Sequence, residues 1–178
     1  GIGDVSTAYL NGVKYGSSQP RKFVKFRKHK RAEWIVMEMT GAIYGGDDGA
    51  VDWYDTADEY LQGAGFKKSD NELCLWRHPV TKLKVTAHSD DVAVRGRCQD
   101  VEEFFKTLHK HYPLKKWKIV ETTPTHPTGR GRWGGGAVRY LGKDIYKHKM
   151  QDGSMWYKIT QENDIKQFLS DEDMLGAR

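Results

Sequence analysis

An α+β fold built on antiparallel sheet is predicted by three features of this 178-residue chain. Residues 82–96 read as strand, tight turn, strand. Val85, Ala87, Val92 and Val94 suit a buried hairpin, because β-branching stiffens the side chain and favours the pleated surface. Residues 138–146 and 154–160 read as two further strands, joined across Gln151-Asp152-Gly153, a hairpin-type turn. Between and around these strands lie two stretches of helical periodicity. Val101, Phe104, Phe105, Leu108 and Tyr112 recur at i, i+3, i+4, i+7 and i+11, one face of a helix. Trp53, Tyr54, Ala57, Tyr60 and Leu61 do the same over two turns.

Taken in order, residues 1–5 read as the end of a strand with Asp4 at its exit. Ser6 or Thr7 then starts a helical turn carrying Ala8, Tyr9 and Leu10, closed by Asn11-Gly12, and 15–20 reads as loop. Residues 21–31 alternate first (Phe23, Val24 to Phe26) like an edge strand and end in a basic run. That run suits a phosphate-facing patch or a nuclear-localisation-like signal, or else a charged loop in solvent. Residues 34–39 form a short strand. A glycine-rich turn follows, then the helix from Val51, ended by Gly63 and Gly65. Asp47, Asp48, Asp52 and Asp55 load its start with negative charge, which suits a helix N-terminus better than a cation site.

Residues 72–76 read as a strand, leading into the 82–96 hairpin with Asp90-Asp91 at its tip. Asp100 is expected to cap the next helix, with Glu103 completing a capping box. His109 and His111 point apart on that helix, which argues against a metal pair. Residues 122–136, rich in Gly, Pro and Thr, read as an insertion loop, long for a compact domain. The final helix is expected over 161–169 and a polar tail over 170–178.

Composition narrows the partners. The chain carries 29 Lys and Arg against 24 Asp and Glu, a net charge of +5 and a pI near 9.1, which favours a polyanion. Two cysteines, Cys74 and Cys98, are too few for a disulfide framework and fit a reducing compartment. No apolar run is long enough to span a membrane, so no membrane partner is expected, and the expected location is cytoplasmic or nuclear. No CxxC, phosphate-binding glycine loop or nucleophile elbow is present. The chain opens on Gly1-Ile2-Gly3 without a methionine, as a piece of something longer would.

The chemistry-bearing residues are carboxylates. Asp90 and Asp91 on a rigid turn are costly to bury unpaired but well placed to hold a cation. If the Asp4 strand neighbours the hairpin, three acids converge, repelling one another unless cations lie between them. Magnesium suits such a site, being oxygen-loving and content with one or two carboxylates plus water and substrate phosphates. Two ions about 4 Å apart would support in-line phosphoryl transfer. The plainer alternative, an ordinary turn and a helix cap, has equal weight from spacing alone.

Several segments resemble copia-type retrotransposon reverse transcriptases. Asp4-Val5-Ser6-Thr7-Ala8-Tyr9-Leu10-Asn11-Gly12 resembles the family's D-V-K-T-A-F-L-N-G. Ala42-Ile43-Tyr44-Gly45 resembles A-I/L-Y-G, and Trp53-Tyr54 matches an aromatic pair further on. His88-Ser89-Asp90-Asp91 stands where the family has Y-V-D-D. Tyr140-Leu141-Gly142-Lys143-Asp144-Ile145 resembles F-L-G-I/M-x-I, and Ile159-Thr160-Gln161 the step beyond it. The segments occur in family order across nearly the whole chain.

The resemblance implies a polymerase palm over 1–146, an antiparallel sheet backed by helices. Residues 147–178 would lead towards a thumb, and the fingers would be largely absent. It implies RNA-directed DNA polymerase activity, with Asp4, Asp90 and Asp91 as catalytic residues and ligands of two Mg²⁺ ions, which Mn²⁺ can replace. Val5, Ser6, Thr7, Ala8, Tyr9 and Gly45 would bind the deoxynucleotide triphosphate, the first four through backbone N–H groups and Tyr9 as steric gate. Tyr140, Leu141 and Gly142 would grip the primer of an RNA or DNA template-primer. The sequence also departs from the pattern. The family's G-L-K-Q-A-P-R is here Gly45-Gly46-Asp47-Asp48-Gly49-Ala50-Val51, which sets acids beside an anionic substrate. A non-catalytic nucleic-acid-binding remnant of the same fold is therefore the alternative, and an unrelated metal-dependent phosphodiesterase a third.

Overall fold

The computed structural model describes residues 1–12, 14–16, 20–46, 48–120, 122–124, 137–150 and 152–171, with backbone alone for 122–124 and 171. Strand β1 (Ile2–Val5) runs into a 3-10 turn (Ala8–Asn11), then a hairpin of β2 (Phe23–Phe26) and β3 (Ile35–Glu38). Helix α1 (Gly49–Gly63), β4 (Lys67–Lys68), β5 (Leu75–Arg77), β6 (Lys84–His88) and β7 (Asp91–Arg95) follow. Next come helix α2 (Cys98–His111), β8 (Leu114–Lys118), β9 (Thr122–Pro124) and β10 (Val138–Tyr140). The described chain ends with β11 (Lys143–Lys149), β12 (Met155–Thr160) and helix α3 (Glu162–Asp171).

The fold is α+β with mainly antiparallel sheets. The largest sheet has six strands in the order β4-β5-β6-β7-β1-β8, antiparallel at every pairing. Strand β7 lies between β1 and β6, and β1 between β7 and β8. Set the β4–β5 hairpin aside and this is β-α-β-β-α-β, two interleaved split βαβ units. A second sheet orders β10-β11-β12, with β9 parallel to β11. Among the described residues, strands β2 and β3 pair only with each other, and their Phe23, Val36 and Met37, with Trp34 just before β3, are all more than half exposed.

Both long helices cover one face of the large sheet. Trp53 and Leu61 of α1 and Val101, Phe104, Phe105 and Leu108 of α2 form one core with Val5, Val85, Val92, Val94 and Leu114. Phe105 is fully buried and stacks on Trp117 of β8 at 5.4 Å between centroids. Gly3 lets this happen: a Cβ there would lie 2.7 Å from the Phe105 ring. Residues paired across strands share a face, so Asp4, Thr86, His88, Asp91, Ala93 and Lys116 look the other way. Strand β10 lies against β1, and the Tyr140 hydroxyl comes within 3.4 Å of Thr86 Oγ1 on that open face.

The structure corrects several sequence expectations. The hairpin tip is Ser89-Asp90, not Asp90-Asp91, because Asp91 already pairs with His88 as the first residue of β7. Asp100 lies inside the first turn of α2, whose N-cap is Arg97 with no side-chain cap bond. Its carboxylate instead accepts from the Arg97 guanidinium at 2.7 Å. The single strand expected over 138–146 is broken at Leu141 and Gly142, whose φ values of 48° and 70° make a tight hairpin turn of the type I′ pattern. Strand β5 comes later and shorter than expected, and strands β4 and β8 were not anticipated. Helix α3 continues through Ser170 and Asp171, where a tail was expected. The insertion loop begins with β9; Asp47, 125–136 and 172–178 lie outside the described residues.

Candidate active site: facing carboxylates on the open sheet face

Register brings the predicted acids together. Asp4 on β1 is the direct cross-strand partner of Asp91 on β7, a placement that sets Cβ atoms about 5 Å apart. Asp90 precedes Asp91 on the turn. Like charges directly opposite one another destabilise a sheet, and the chain shows how it tolerates them. The Asp91 carboxyl is pushed above its usual range, first by burial, then by the charges of Asp90 and Asp4, with His88 and Lys116 opposing. Asp4 Oδ1 is out of solvent with no hydrogen bond of normal geometry, and its neighbour is Lys115 Nζ at 3.2 Å. Contact with Asp4, then its charge, raises the Lys115 ammonium above its usual value.

Lys115 reaches Asp4 through a bulge. Pairing runs Gly3↔Trp117, Asp4↔Lys116 and then Val5↔Leu114, so the register slips by one residue beside Asp4. Bulges concentrate beside functional sites because they re-aim a side chain. The slip also hid this strand from sequence reading. Leu114 and Trp117 both serve the helix-covered face while three residues apart, which breaks the two-residue alternation of a strand. Lys115 and Lys116 are thus the site residues that sequence reasoning missed, and the broken alternation left no signal for them.

The turn bearing Asp90 is held from three sides. The Val5 N–H donates to the Asp90 carbonyl at 2.8 Å. Trp53 Nε1 donates to the Ser89 carbonyl at 2.8 Å, which gives the Trp53 stripe position a role beyond core packing. The Tyr9 hydroxyl and Ser89 Oγ share a hydrogen bond at 2.8 Å. Ser89 itself has φ 53°, the left-handed region.

Of the expected nucleotide-binding residues, Val5 and Ser6 have spent their N–H groups inside the fold, Val5 on Asp90 and Ser6 on the Pro113 carbonyl at 2.7 Å. In this structure these two amides are thus committed within the fold, leaving those of Thr7 and Ala8 for the phosphate contacts the resemblance implies. Ala8 is buried. The Tyr9 ring packs against Tyr44, centroids 4.9 Å apart, and Gly45 next to it is an exposed turn residue at φ 81°. Tyr140, Leu141 and Gly142 form the β10–β11 turn, joined to the open face through Thr86.

Among the described residues, no three or more His, Cys, Asp or Glu side chains are grouped as a ready cation cage. The facing pair still suits a hard cation by its donors, all carboxylate oxygens, and by the buried Asp4 oxygen that lacks a hydrogen bond. Magnesium is ordinarily held by one or two carboxylates, with water and substrate phosphate completing the set. Lys115 would have to swing aside to admit it. No described helix is long and apolar enough to cross a membrane. Compared with known proteins, the chain matches no family model, no curated protein and no solved structure.

Proposed function

We propose that the chain is the palm region of a copia-type RNA-directed DNA polymerase, with β11, β12 and α3 leading towards a thumb. One observation carries the reading: Asp4 stands directly opposite Asp91, with Asp90 next to it, on the open face of an interleaved β-α-β-β-α-β sheet. Asp4, Asp90 and Asp91 would hold two magnesium ions, whose chemistry when bound is to activate a 3′-hydroxyl and stabilise charge on departing pyrophosphate. The chain's own residues position. Tyr9, fixed by Tyr44 and Ser89, presents its ring where a 2′-hydroxyl is to be rejected. The Tyr140–Gly142 turn supports the primer end beside the sheet.

A specific observation favours a second reading, a nucleic-acid-binding remnant without turnover. Lys115 already neutralises Asp4, and two of the expected phosphate-binding amides are committed elsewhere. Primer extension on an RNA template with Mg²⁺ decides between them. Template-directed incorporation that Asp90→Ala abolishes supports the polymerase. Salt-sensitive binding without incorporation, indifferent to Asp90, supports the remnant. Mg²⁺-dependent cleavage with no nucleotide added would point to a phosphodiesterase instead.

A further inference from the structure

At the other end of the same open face, the register lines up four cations. Lys67 lies opposite Arg77, Arg77 opposite Lys84, and Lys84 opposite Arg95, across β4, β5, β6 and β7. All four are exposed, and none has an ion-pair partner among the described residues. Lys84 and Arg95 keep the alternation of Thr86, His88, Ala93 and Asp91, so the row looks out on the carboxylate side. It stands about 13 Å along β7 from Asp91, at roughly 3.3 Å per residue. Beside it opens a cleft of about 550 Å³, lined by Lys67, Lys68, Arg77, Lys82 and Lys84, with Asp70 the one carboxylate. Lys68 is committed to Asp58 at 3.0 Å.

Like charges directly opposite weaken a sheet, and here three such pairs stand in succession with no acid interleaved. Packing gives no reason for them, since all four side chains are in solvent. Strands are about 4.8 Å apart, so the row is about 14 Å long. Over that length one strand of a nucleic-acid duplex carries about four phosphates. A single small anion could engage only part of it. We infer that Lys67, Arg77, Lys84 and Arg95 bind the phosphate backbone of a nucleic-acid duplex lying on the open face. This rests on the nucleic-acid partner of the proposed function but not on catalysis.

The test is anisotropy of a labelled RNA–DNA hybrid duplex titrated with the whole chain at 50–200 mM salt, roughly the range over which phosphate contacts are lost. Lys67→Gln, Arg77→Gln, Lys84→Gln and Arg95→Gln are combined in one variant. A charge-matched control combines Arg27→Gln, Lys28→Gln, Lys30→Gln and Arg31→Gln in the β2–β3 turn. The row variant should flatten the slope of log K against log salt by about 3.6 and bind at least about tenfold more weakly. Its melting temperature should hold or rise as repulsion is removed. If it falls, the two double variants (67 with 77, 84 with 95) are read instead, each flattening the slope by about 1.8. Equal losses in row and control variants, unchanged binding in the row variant, or no duplex binding by the unaltered chain would overturn the inference. So would a row variant that loses only inorganic triphosphate. The β2–β3 turn control should keep the binding and its salt slope. Row-dependent binding in a chain that never incorporates nucleotide would therefore sink the polymerase and leave the row standing.

Discussion

At the β6–β7 turn, Asp4 and Asp91 face each other partly buried, with one carboxyl pushed towards its neutral form and a lysine drawn in through a bulge. Four residues along the same strand, Lys84 and Arg95 face each other in the open, with no ion-pair partner among the described residues. Both are like-charge pairs on one sheet face. The buried pair cannot be left bare, because desolvation adds to repulsion, so the fold supplies a counter-charge and hydrogen-bonds the turn from three sides. The exposed row is screened by water and salt and needs no such support. A concentration of charge that the fold stabilises locally is expected to be a positioned site. One left to solvent is expected to be a sliding, salt-dependent contact.

The sharpest way to break this contrast is Asp91→Asn. Under the proposed function it should cut incorporation by about 10³ or more, the several kcal/mol attributed to a lost metal-binding group. The same change should stabilise the fold at neutral pH. Because the folded-state carboxyl is raised above its unfolded value, its favourable contribution is fully present below the unfolded pKa and is lost as pH rises through the folded one. The variant's advantage over the unaltered chain should thus be largest at neutral pH and vanish on acidification below that window. Thermal melts across pH 3–7, roughly the span from below the ordinary Asp value upward, check the sign. A variant less stable at neutral pH would mean the pair is not repulsive.

A second prediction concerns the scaffold that fixes the buried end. Gly3→Ala would place a methyl 2.7 Å from the fully buried Phe105 ring, which has Trp117 stacked on it and nowhere to go. Overpacking of this kind costs about 1–3 kcal/mol, read as a lowered denaturant midpoint with an unchanged slope. Because Gly3 precedes Asp4 on β1, the shift should weaken the carboxylate end and spare the cationic row.

Smaller in effect, magnesium itself should distinguish the two ends. A cation bound only to the folded chain at ten times its dissociation constant stabilises by about 1.4 kcal/mol, which raises the melting temperature by about 3–6 °C for a chain of this size. Asp4→Asn should abolish the rise, and Lys115→Met should enlarge it by removing the resident counter-charge. Neutralising the row should leave it untouched.

Much of this was legible in the residues. The α2 stripe and the Val85, Val92 and Val94 alternation announce a helix-covered antiparallel sheet, because burial on one face imposes a period. Asp4 and Asp90-Asp91 stood out because acids beside apolar strands need a reason. Pairing, however, is a long-range property: nothing local states that β1 inserts between β7 and β8. The bulge that turns Lys115 onto Asp4 erased the strand pattern of 114–118. The cationic row was invisible for the same reason, since Lys67, Arg77, Lys84 and Arg95 are ordinary surface residues until register sets them side by side.

The finest test of local support at the carboxylate end is the Tyr9–Ser89 hydrogen bond. It is exposed, so its net worth is at most about 1 kcal/mol, and single substitutions confound it with backbone effects. A double-mutant cycle of Tyr9→Phe and Ser89→Ala isolates the coupling, expected at about 0.5–1 kcal/mol. Ser89→Gly adds a second reading, because a left-handed residue at φ 53° costs a non-glycine side chain about 1 kcal/mol. The glycine variant should therefore be more stable than the alanine one by about that amount. Under the proposed function its incorporation should nonetheless be lower, since the turn bearing Asp90 loses its tie to Tyr9. Zero coupling in the cycle, with incorporation unchanged in all three variants, would mean that the Val5 and Trp53 bonds alone fix the turn, and that Tyr9 is not tied to the carboxylates.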